Sequence, residues 1–410
     1  MMDITQKLQE INWDFSDYNS ARYPYDLNSI PWYPATFIPP IPKFLIASLT
    51  KPGDVILDPF GGSGTTIVEA LKLNRIPIYN DLNPFATDIM LSLLAALKYA
   101  LAKNNILNRE DELKRLKINC LSENDVEEFI KENGINNDVN YWYHSSTLTE
   151  LLSIIKSINV EQSKCNSDII TLIRRLAVTS ILKSASSQPG HFTYITDNCK
   201  PSKKVYKNAT NLYIDKIEQI CLAAEDFIIQ FHLSNSDADL NELISKVKCV
   251  TKDARNLNWI DDQSVDLVLT SPPYLCAQDY IKTMRLTNLF FPHEQAFNIT
   301  VKNEIGARSR RGGKADIVVP SFYKDLQSVF EHVYRVLKPN GFFCLIMGKG
   351  KSKITANFNI ISDLCDILQI KFKFEKIFQQ KRLIGNRVIR VGGVDKEDII
   401  IFKKTNNRRN

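Results

Sequence analysis

Apolar residues recur along this chain in two rhythms, and the switch between them divides it. An aromatic- and proline-rich lead-in, "YPYDLNSIPWYPATFIPPIPKFLIASLT" (23–50), closes on a short helix at "IPKFLIASL". The continuous apolar run "DVILDPF" (54–60) predicts a buried strand, and "GTTIVEALKLN" (64–74) has helical periodicity behind a Gly-Thr start. "RIPIYNDLN" (75–83) reads as a second short strand, followed by a helix over "PFATDIMLSLLAALKYALAK" (84–103). Strand, glycine-rich turn, helix and strand make a βαβ unit, which predicts a parallel sheet.

From about 103 to 245 charged helical stretches take over: "REDELKRLK", "ENDVEEFIKE", "LTELLSIIKSI", "DIITLIRRLAVTSILKSA" and "YIDKIEQICLAAEDFIIQF". A polar loop at 186–207 interrupts them. Alternation returns with strands at "KCVTKDA", "SVDLVLTSPPY", "GFFCLIMG", "KFEKIFQQKRL" and "EDIIIFKK", and with helices at "FYKDLQSVFEHVYRVLK" and "NIISDLCDILQI". The pattern therefore divides the chain into 1–102, a helical insertion over 103–245, and 246–410.

Composition narrows the class. A chain of 410 residues, 44% hydrophobic and 24% charged, has length for a large core plus accessory pieces. A formal charge of +6 permits a polyanionic partner without demanding one. The eight cysteines form no Cys-x-x-Cys pair, and the five histidines show no metal-ligand spacing, so no metal is expected. Scattered cysteines suit a reducing cytosol. The start "MMDITQKLQEINWDF" lacks a signal-peptide pattern, and "IMLSLLAALKYALA" (89–102), interrupted by Lys98, reads as too short for a bilayer. The expectation is a cytoplasmic protein without a membrane partner.

"DVILDPFGGSGTTIVEA" places Asp58 at the end of the first strand and a Gly61-Gly62-Ser63-Gly64 turn behind it. Position 67 is Ile, so this is not the dinucleotide fingerprint, and the Gly-Lys-Ser/Thr ending of a phosphate loop is absent. A carboxylate at the strand tip suits a cationic or amine-bearing ligand better than a pyrophosphate. Asp81, in "IYNDLNP", stands where an acid accepts hydrogen bonds from both ribose hydroxyls of a nucleoside. Asp253, in "KDAR", is placed to accept from an adenine amino group. "TSPPYLCAQDY" (270–280) adds a hydroxyl, two prolines and an aromatic ring at a third strand end.

Together "DPFGGSGTT", "NDLNP" and "TSPPY" resemble the amino-methyltransferases of DNA, over about residues 33–90 and 249–402. The resemblance implies an α/β, Rossmann-like fold with a mostly parallel seven-stranded sheet, and S-adenosyl-L-methionine as cofactor. It implies that Asp58 and the loop at Phe60, Gly62, Gly64 and Thr65 hold the methionine end, Asp81 the ribose and Asp253 the adenine. The lead-in "YPATFIPPIPKFLI" resembles the family's helix that lines the methionine end. "KDAR" departs from the family order by following the insertion rather than preceding it.

An exocyclic amine is a poor nucleophile because its lone pair is delocalised into the ring. Acceptors aimed at both amino hydrogens make the nitrogen more tetrahedral, and Ser271 Oγ and the Pro272 carbonyl are the candidates. Prolines 272 and 273 stiffen the turn and bring no competing N–H. Tyr274 would stack on a base flipped out of double-stranded DNA. Within the family, Ser before Pro-Pro-Tyr goes mostly with cytosine N4, leaving adenine N6 and an RNA base as alternatives. Cys276 lacks the preceding proline that ring-carbon methylation needs and reads as a packed small residue.

For the DNA, "KNEIGARSRRGGK" (302–314) reads as a flexible basic loop carrying Arg308, Arg310, Arg311 and Lys314 against the single acid Glu304. Lys203 and Lys204 join His191, Phe192 and Tyr194 in the 186–207 loop, and "KRLIGNRVIRVGG" (381–393) is a third basic segment. The helical insertion is the expected target-recognition region. A restriction endonuclease acting on the same site is the expected biological partner.

Overall fold

The computed structural model describes residues 4–19, 22–31, 33, 34, 36, 38–102, 107–162, 168–188, 200–350, 352–384 and 396–405. Seven strands form one sheet: β1 Val55–Asp58, β2 Ile76–Asp81, β3 Lys248–Thr251, β4 Val265–Thr270, β5 Leu337–Gly348, β6 Phe374–Leu383 and β7 Lys396–Lys404. Their order is β3-β2-β1-β4-β5-β7-β6. The five strands from β3 to β5 run parallel, and β7 pairs antiparallel with both β5 and β6. This is the α/β, Rossmann-like, mostly parallel seven-stranded sheet that the sequence resemblance implies. All seven strands fall where the apolar runs predicted them.

The central strands read as unbroken apolar runs because both faces are covered. Helix α1 (Pro40–Leu49) covers one face, where Leu45 and Ile46 pack with Ile56, Leu267 and Ile399. On the other face, Phe322, Val329 and Phe330 pack against Leu57, Val268 and Phe343. Parallel strands reverse order between β1 and β4, so the crevice outside their carboxyl ends is the expected ligand position in such a sheet.

Helix α2 (Thr65–Lys72) returns the chain from β1 to β2, and α3 (Pro84–Leu101) leaves β2. Asn83 caps α3 by accepting the Phe85 N–H, and Pro84 occupies the first turn, where it has no N–H to leave unpaired. At 18 residues α3 is long and apolar enough to cross a membrane by length and composition, which corrects the expectation that it is too short. Its apolar surface is instead occupied inside the protein. Leu93 and Leu97 share a cluster with Leu151, Ile173, Ala177, Ile217 and Ala224 from the helical segment. These come from α4 (Ser145–Gln162), α5 (Asp168–Ala185) and α6 (Ala209–Ser234). Each fully buried Leu or Ile there contributes about 1.5–3 kcal/mol.

On the neighbouring helix Arg109–Ile118 the carboxylate of Glu112 is buried between two guanidinium groups, Arg115 of the same helix and Arg174 of α5, and accepts from Tyr213 Oη of α6 at 3.0 Å. Removing one partner of such a group leaves a charge without compensation, so it fixes the helices' packing. The whole segment lies within the crossover from β2 to β3. Because β3 pairs with β2 in parallel, Asp81 opposite Thr251, the "KDAR" segment arrives beside the β2 tip despite the long insertion.

Candidate active site

The carboxyl ends of β1, β2 and β4 converge on a cavity. Its wall holds Tyr33, Pro34 and Thr36 from the lead-in; Phe60 to Ser63 and Thr65 from the glycine-rich turn; and Asp81 to Asn83 after β2. Asp253 and Ala254 follow β3; Ser271, Pro273 and Tyr274 follow β4; Tyr280, Ile281, Glu304 and Ile305 close the remaining side.

The turn after β1 holds its shape through the backbone. Gly62 and Gly64 have φ of 51° and 88°, the left-handed region that glycine enters without strain. A Cβ on Gly61 would collide with the Tyr79 ring, whose hydroxyl donates to the Gly62 carbonyl at 2.8 Å. Asp81 braces the same turn: its Oδ2 accepts the Gly62 N–H at 2.8 Å and its Oδ1 the Asn83 N–H at 2.8 Å. Burial pushes the Asp81 carboxyl up to about 6, with those N–H groups pulling it back down. Each oxygen keeps a lone pair for a ligand hydroxyl.

The structure places Asp58 behind the cavity wall rather than on it. It is 1% exposed and does not line the cavity. Its carboxylate accepts from Thr66 Oγ1 at 2.6 Å, Thr270 Oγ1 at 2.7 Å and the Phe60 N–H at 3.1 Å. It therefore ties the glycine-rich turn to the end of β4. Burial raises its carboxyl to about 6, against the pull of the three donors. Gly64 also stands back from the cavity as the N-cap of α2, and Pro272 is buried behind it.

Asp253 lines the cavity, held by Arg255, whose Nη2 donates to Oδ2 at 2.6 Å while Nη1 reaches Asp325 at 2.8 Å. Sequence reading missed Arg255 in this role, although the two residues are near neighbours.

Beyond β4 a chain of hydroxyls emerges. Ser271 Oγ donates to Tyr274 Oη at 3.2 Å, and Tyr274 Oη donates to Glu397 Oε2 at 2.8 Å. The other oxygen of Glu397 pairs with Arg382, both buried on β7 and β6. Since the phenol donates to a carboxylate, it accepts from Ser271, and the lone pairs of Ser271 Oγ stay available as acceptors. The Tyr274 ring is 9% exposed and forms part of the wall. Glu397 gave no sequence signal, because strand pairing alone brings it beside residue 274.

The 302–314 segment is not the open loop expected. Glu304, Ile305, Gly306 and Ala307 are buried across the cavity, and Arg308–Gly312 form one 3₁₀ turn. The Cys276 N–H donates to the Gly306 carbonyl at 2.8 Å, and the Arg308 N–H to that of Gln278 at 2.9 Å. Arg310 Nη2 bonds the Glu304 carbonyl at 3.4 Å. Lys314 is exposed at the start of α7 (Ala315–Val336), and the Arg311 side chain lies outside the described residues. Cys276 is buried, as a packed residue should be.

Lys203 and Lys204 are exposed beside the helical segment, where Lys204 Nζ bonds the Asn140 carbonyl at 3.1 Å; neither lines the cavity. His191, Phe192, Tyr194 and residues 385–393 lie outside the described residues. Among the described residues no group of three His, Cys, Asp or Glu side chains is placed to hold a metal.

Among the described residues the cavity wall carries the carboxyl groups of Asp81, Asp253 and Glu304 and no lysine or arginine. Such a wall repels a pyrophosphate and attracts a cation. Its residues fit S-adenosyl-L-methionine, a sulfonium cation carrying ribose and adenine.

A family model described as DNA methylase matches residues 3–91. Over 139 residues the chain is 29% identical to the type II methyltransferase M.MjaI of Methanocaldococcus jannaschii, covering 33% of this chain and 43% of that protein. Over 127 residues it is 28% identical to the type II methyltransferase M.MjaII of the same organism, covering 30% and 22%. A solved putative DNA modification methylase from Thermus thermophilus, complexed with S-adenosyl-L-methionine, aligns at 19% identity and a TM-score of 0.24, over 38% of this chain and 55% of that one. The chain thus spans less than half the length of the curated relatives it matches.

Proposed function

We propose that this protein is a DNA methyltransferase of restriction–modification type, transferring a methyl group from S-adenosyl-L-methionine to the exocyclic N4 of cytosine. The observation that carries the reading is one shared cavity: Ser271, Pro273 and Tyr274 border the same space as Asp81 and Asp253. Bound there, the cofactor supplies an electrophilic methyl on a sulfonium. The chain's own residues bind, orient and accept. Asp81 takes ribose hydroxyls, Asp253 takes the adenine amino group, and the turn at Phe60 to Thr65 flanks the methionine end. Ser271 Oγ accepts one amino hydrogen of the target base, turning the nitrogen lone pair toward the methyl; the Pro272 carbonyl, the second acceptor of the sequence reading, reaches the base only if the corner shifts on binding. Transfer leaves that nitrogen strongly acidic, so its proton passes to solvent without a dedicated base. Tyr274, held by Glu397, offers its ring to a base turned out of the helix.

DNA as the polymer is favoured by a groove beside this tip. Gly350, packed against the Leu275 carbonyl, starts a basin of about 1030 Å³ whose walls carry Lys349, Lys353, Lys376, Lys381 and Lys396 against Asp366 and Asp398. The excess of ammonium groups near the catalytic corner suits phosphates. Arg308, Arg310 and Lys314 add charge on the cavity's other flank. In this reading residues 103–245 select the sequence, and an endonuclease cutting the same site is the partner.

The reading is tested by incubating the protein with unmethylated genomic DNA and isotopically labelled S-adenosyl-L-methionine, then analysing nucleosides by mass spectrometry. Label in N4-methylcytosine is expected. Label in N6-methyladenine would move the target to adenine, and absence of label from DNA would overturn the proposal.

A further inference from the structure

Glu304 has no part in the chemistry above, yet it occupies an unusual position. The helix Glu294–Asn303 ends beside Arg255, which bonds the Asn303 carbonyl at 3.1 Å, and the next side chain turns inward. Glu304 is 4% exposed and borders the cavity. Its Oε1 accepts the Tyr280 N–H at 2.6 Å, while Oε2 is buried with no hydrogen-bond partner. A buried carboxylate oxygen without a donor is costly unless a ligand completes it.

The charges around it do not neutralise it. Asp81 at the β2 tip and Asp279 in the segment after the Pro-Pro-Tyr motif both act on it with like charge. Tyr33 from the lead-in and Tyr280 face the same space, and both phenols are held neutral by burial. Arg310 reaches only the Glu304 carbonyl, and Arg255 is engaged by Asp253 and Asp325. Burial, reinforced by Asp279 and Asp81, pushes the Glu304 carboxyl up to about 8, against the N–H groups of Tyr280 and Ile281. Without ligand it is therefore mostly protonated at neutral pH.

We propose that Glu304 is a positioning residue that reads the positive charge of the sulfonium cofactor, so that the site separates S-adenosyl-L-methionine from its neutral thioether product, S-adenosyl-L-homocysteine. This rests on the cofactor reading given above. As the cation enters, the Glu304 carboxyl loses its proton to solvent and the resulting carboxylate faces the sulfonium side of the ligand. Opposite charges in a site shielded from water attract far more than in bulk. Once the methyl is transferred the charge is gone, Glu304 regains its proton, and the product is held less tightly.

Calorimetric titration of the full chain with each of the two ligands, in two buffers of different ionisation enthalpy at pH 7, tests this. Wild type should release a proton on binding S-adenosyl-L-methionine beyond any released with S-adenosyl-L-homocysteine, and should bind the sulfonium at least fivefold more tightly. Glu304→Gln, which keeps an acceptor for Tyr280, should abolish that extra proton release. It should weaken the sulfonium at least tenfold while changing the thioether by less than twofold. Equal proton release for both ligands in wild type, a measurement that needs no variant, overturns the inference, as does an unchanged affinity ratio in a folded Glu304→Gln protein. If wild type binds neither ligand, the cofactor reading fails as well.

Discussion

Thr270 donates its hydroxyl to Asp58 Oδ1 at 2.7 Å, across 212 positions of sequence. The bond joins the last residue of β4 to the last residue of β1, which are neighbours in the sheet. It sets the Ser271–Tyr274 corner beside the glycine-rich turn, which Asp58 holds through Thr66 and Phe60. Thr270→Val keeps the shape and removes a donor from a buried carboxylate. The expected loss of stability is about 1–3 kcal/mol, read from the midpoint of urea unfolding. A midpoint equal to wild type would mean the tie contributes nothing.

Tyr274 and Glu397 act as one unit in orienting Ser271. Tyr274→Phe and Glu397→Gln should each lower the rate of methyl transfer at least tenfold while leaving cofactor affinity within about twofold. Ser271→Ala should do the same, because the acceptor itself is lost. Single-turnover kinetics alongside equilibrium binding separate the two effects. A parallel loss of affinity would place this corner at the cofactor rather than at the target base.

At Asp81 the expected pattern is the reverse. Asp81→Asn keeps one of the two acceptors that brace the turn and weakens charge-assisted bonds to a ribose, about 1.5–3 kcal/mol for hydrogen bonds to a charged group. Binding of S-adenosyl-L-methionine should fall by roughly ten- to a hundredfold, with folding stability lowered by about 1–3 kcal/mol for the N–H left without an acceptor. Unchanged affinity would remove Asp81 from the cofactor site.

Carboxyls raised by desolvation, Asp58, Asp81 and Glu304 among them, give the ligand-free protein a distinctive pH response. Asp58 and Asp81 are raised from 3.8 to about 6, and Glu304 from 4.5 to about 8. Between about pH 4 and 8 the folded chain keeps protons that the unfolded chain has released. The stability these groups contribute is therefore present at the acid end and lost as pH rises through 6 and then 8. The urea midpoint should be lower at pH 8.5 than at pH 6, and Glu304→Gln should flatten the upper part of the decline. A midpoint that rises over this range would contradict the assigned directions.

Much of this was legible in the sequence for physical reasons. Short continuous apolar runs bounded by turn residues, such as "DVILD" and "VDLVLT", read as strands covered on both faces, and they located the sheet. Glycines 62 and 64 announced a turn with positive φ, and the structure has it. What stayed hidden depends on long-range pairing. Asp58 looked like a ligand-binding acid because its partners, Thr66 and Thr270, are separated from each other in sequence but not in the sheet. The 302–314 segment looked open because its charges and glycines are those of a solvated loop. The lone acid among its five basic residues was the overlooked sign that one side chain points inward. Glu397 and Arg382 were invisible because register between β6 and β7, not local composition, brings them together.

Whether one cavity serves both the cofactor and the target base is tested most directly by a crystal structure with S-adenosyl-L-homocysteine and a short duplex. The ribose should lie on Asp81, the sulfur should face Ser271, and an everted base should sit between that sulfur and the Tyr274 ring. A ligand seated elsewhere, or one whose sulfur points away from Ser271, would contradict this arrangement.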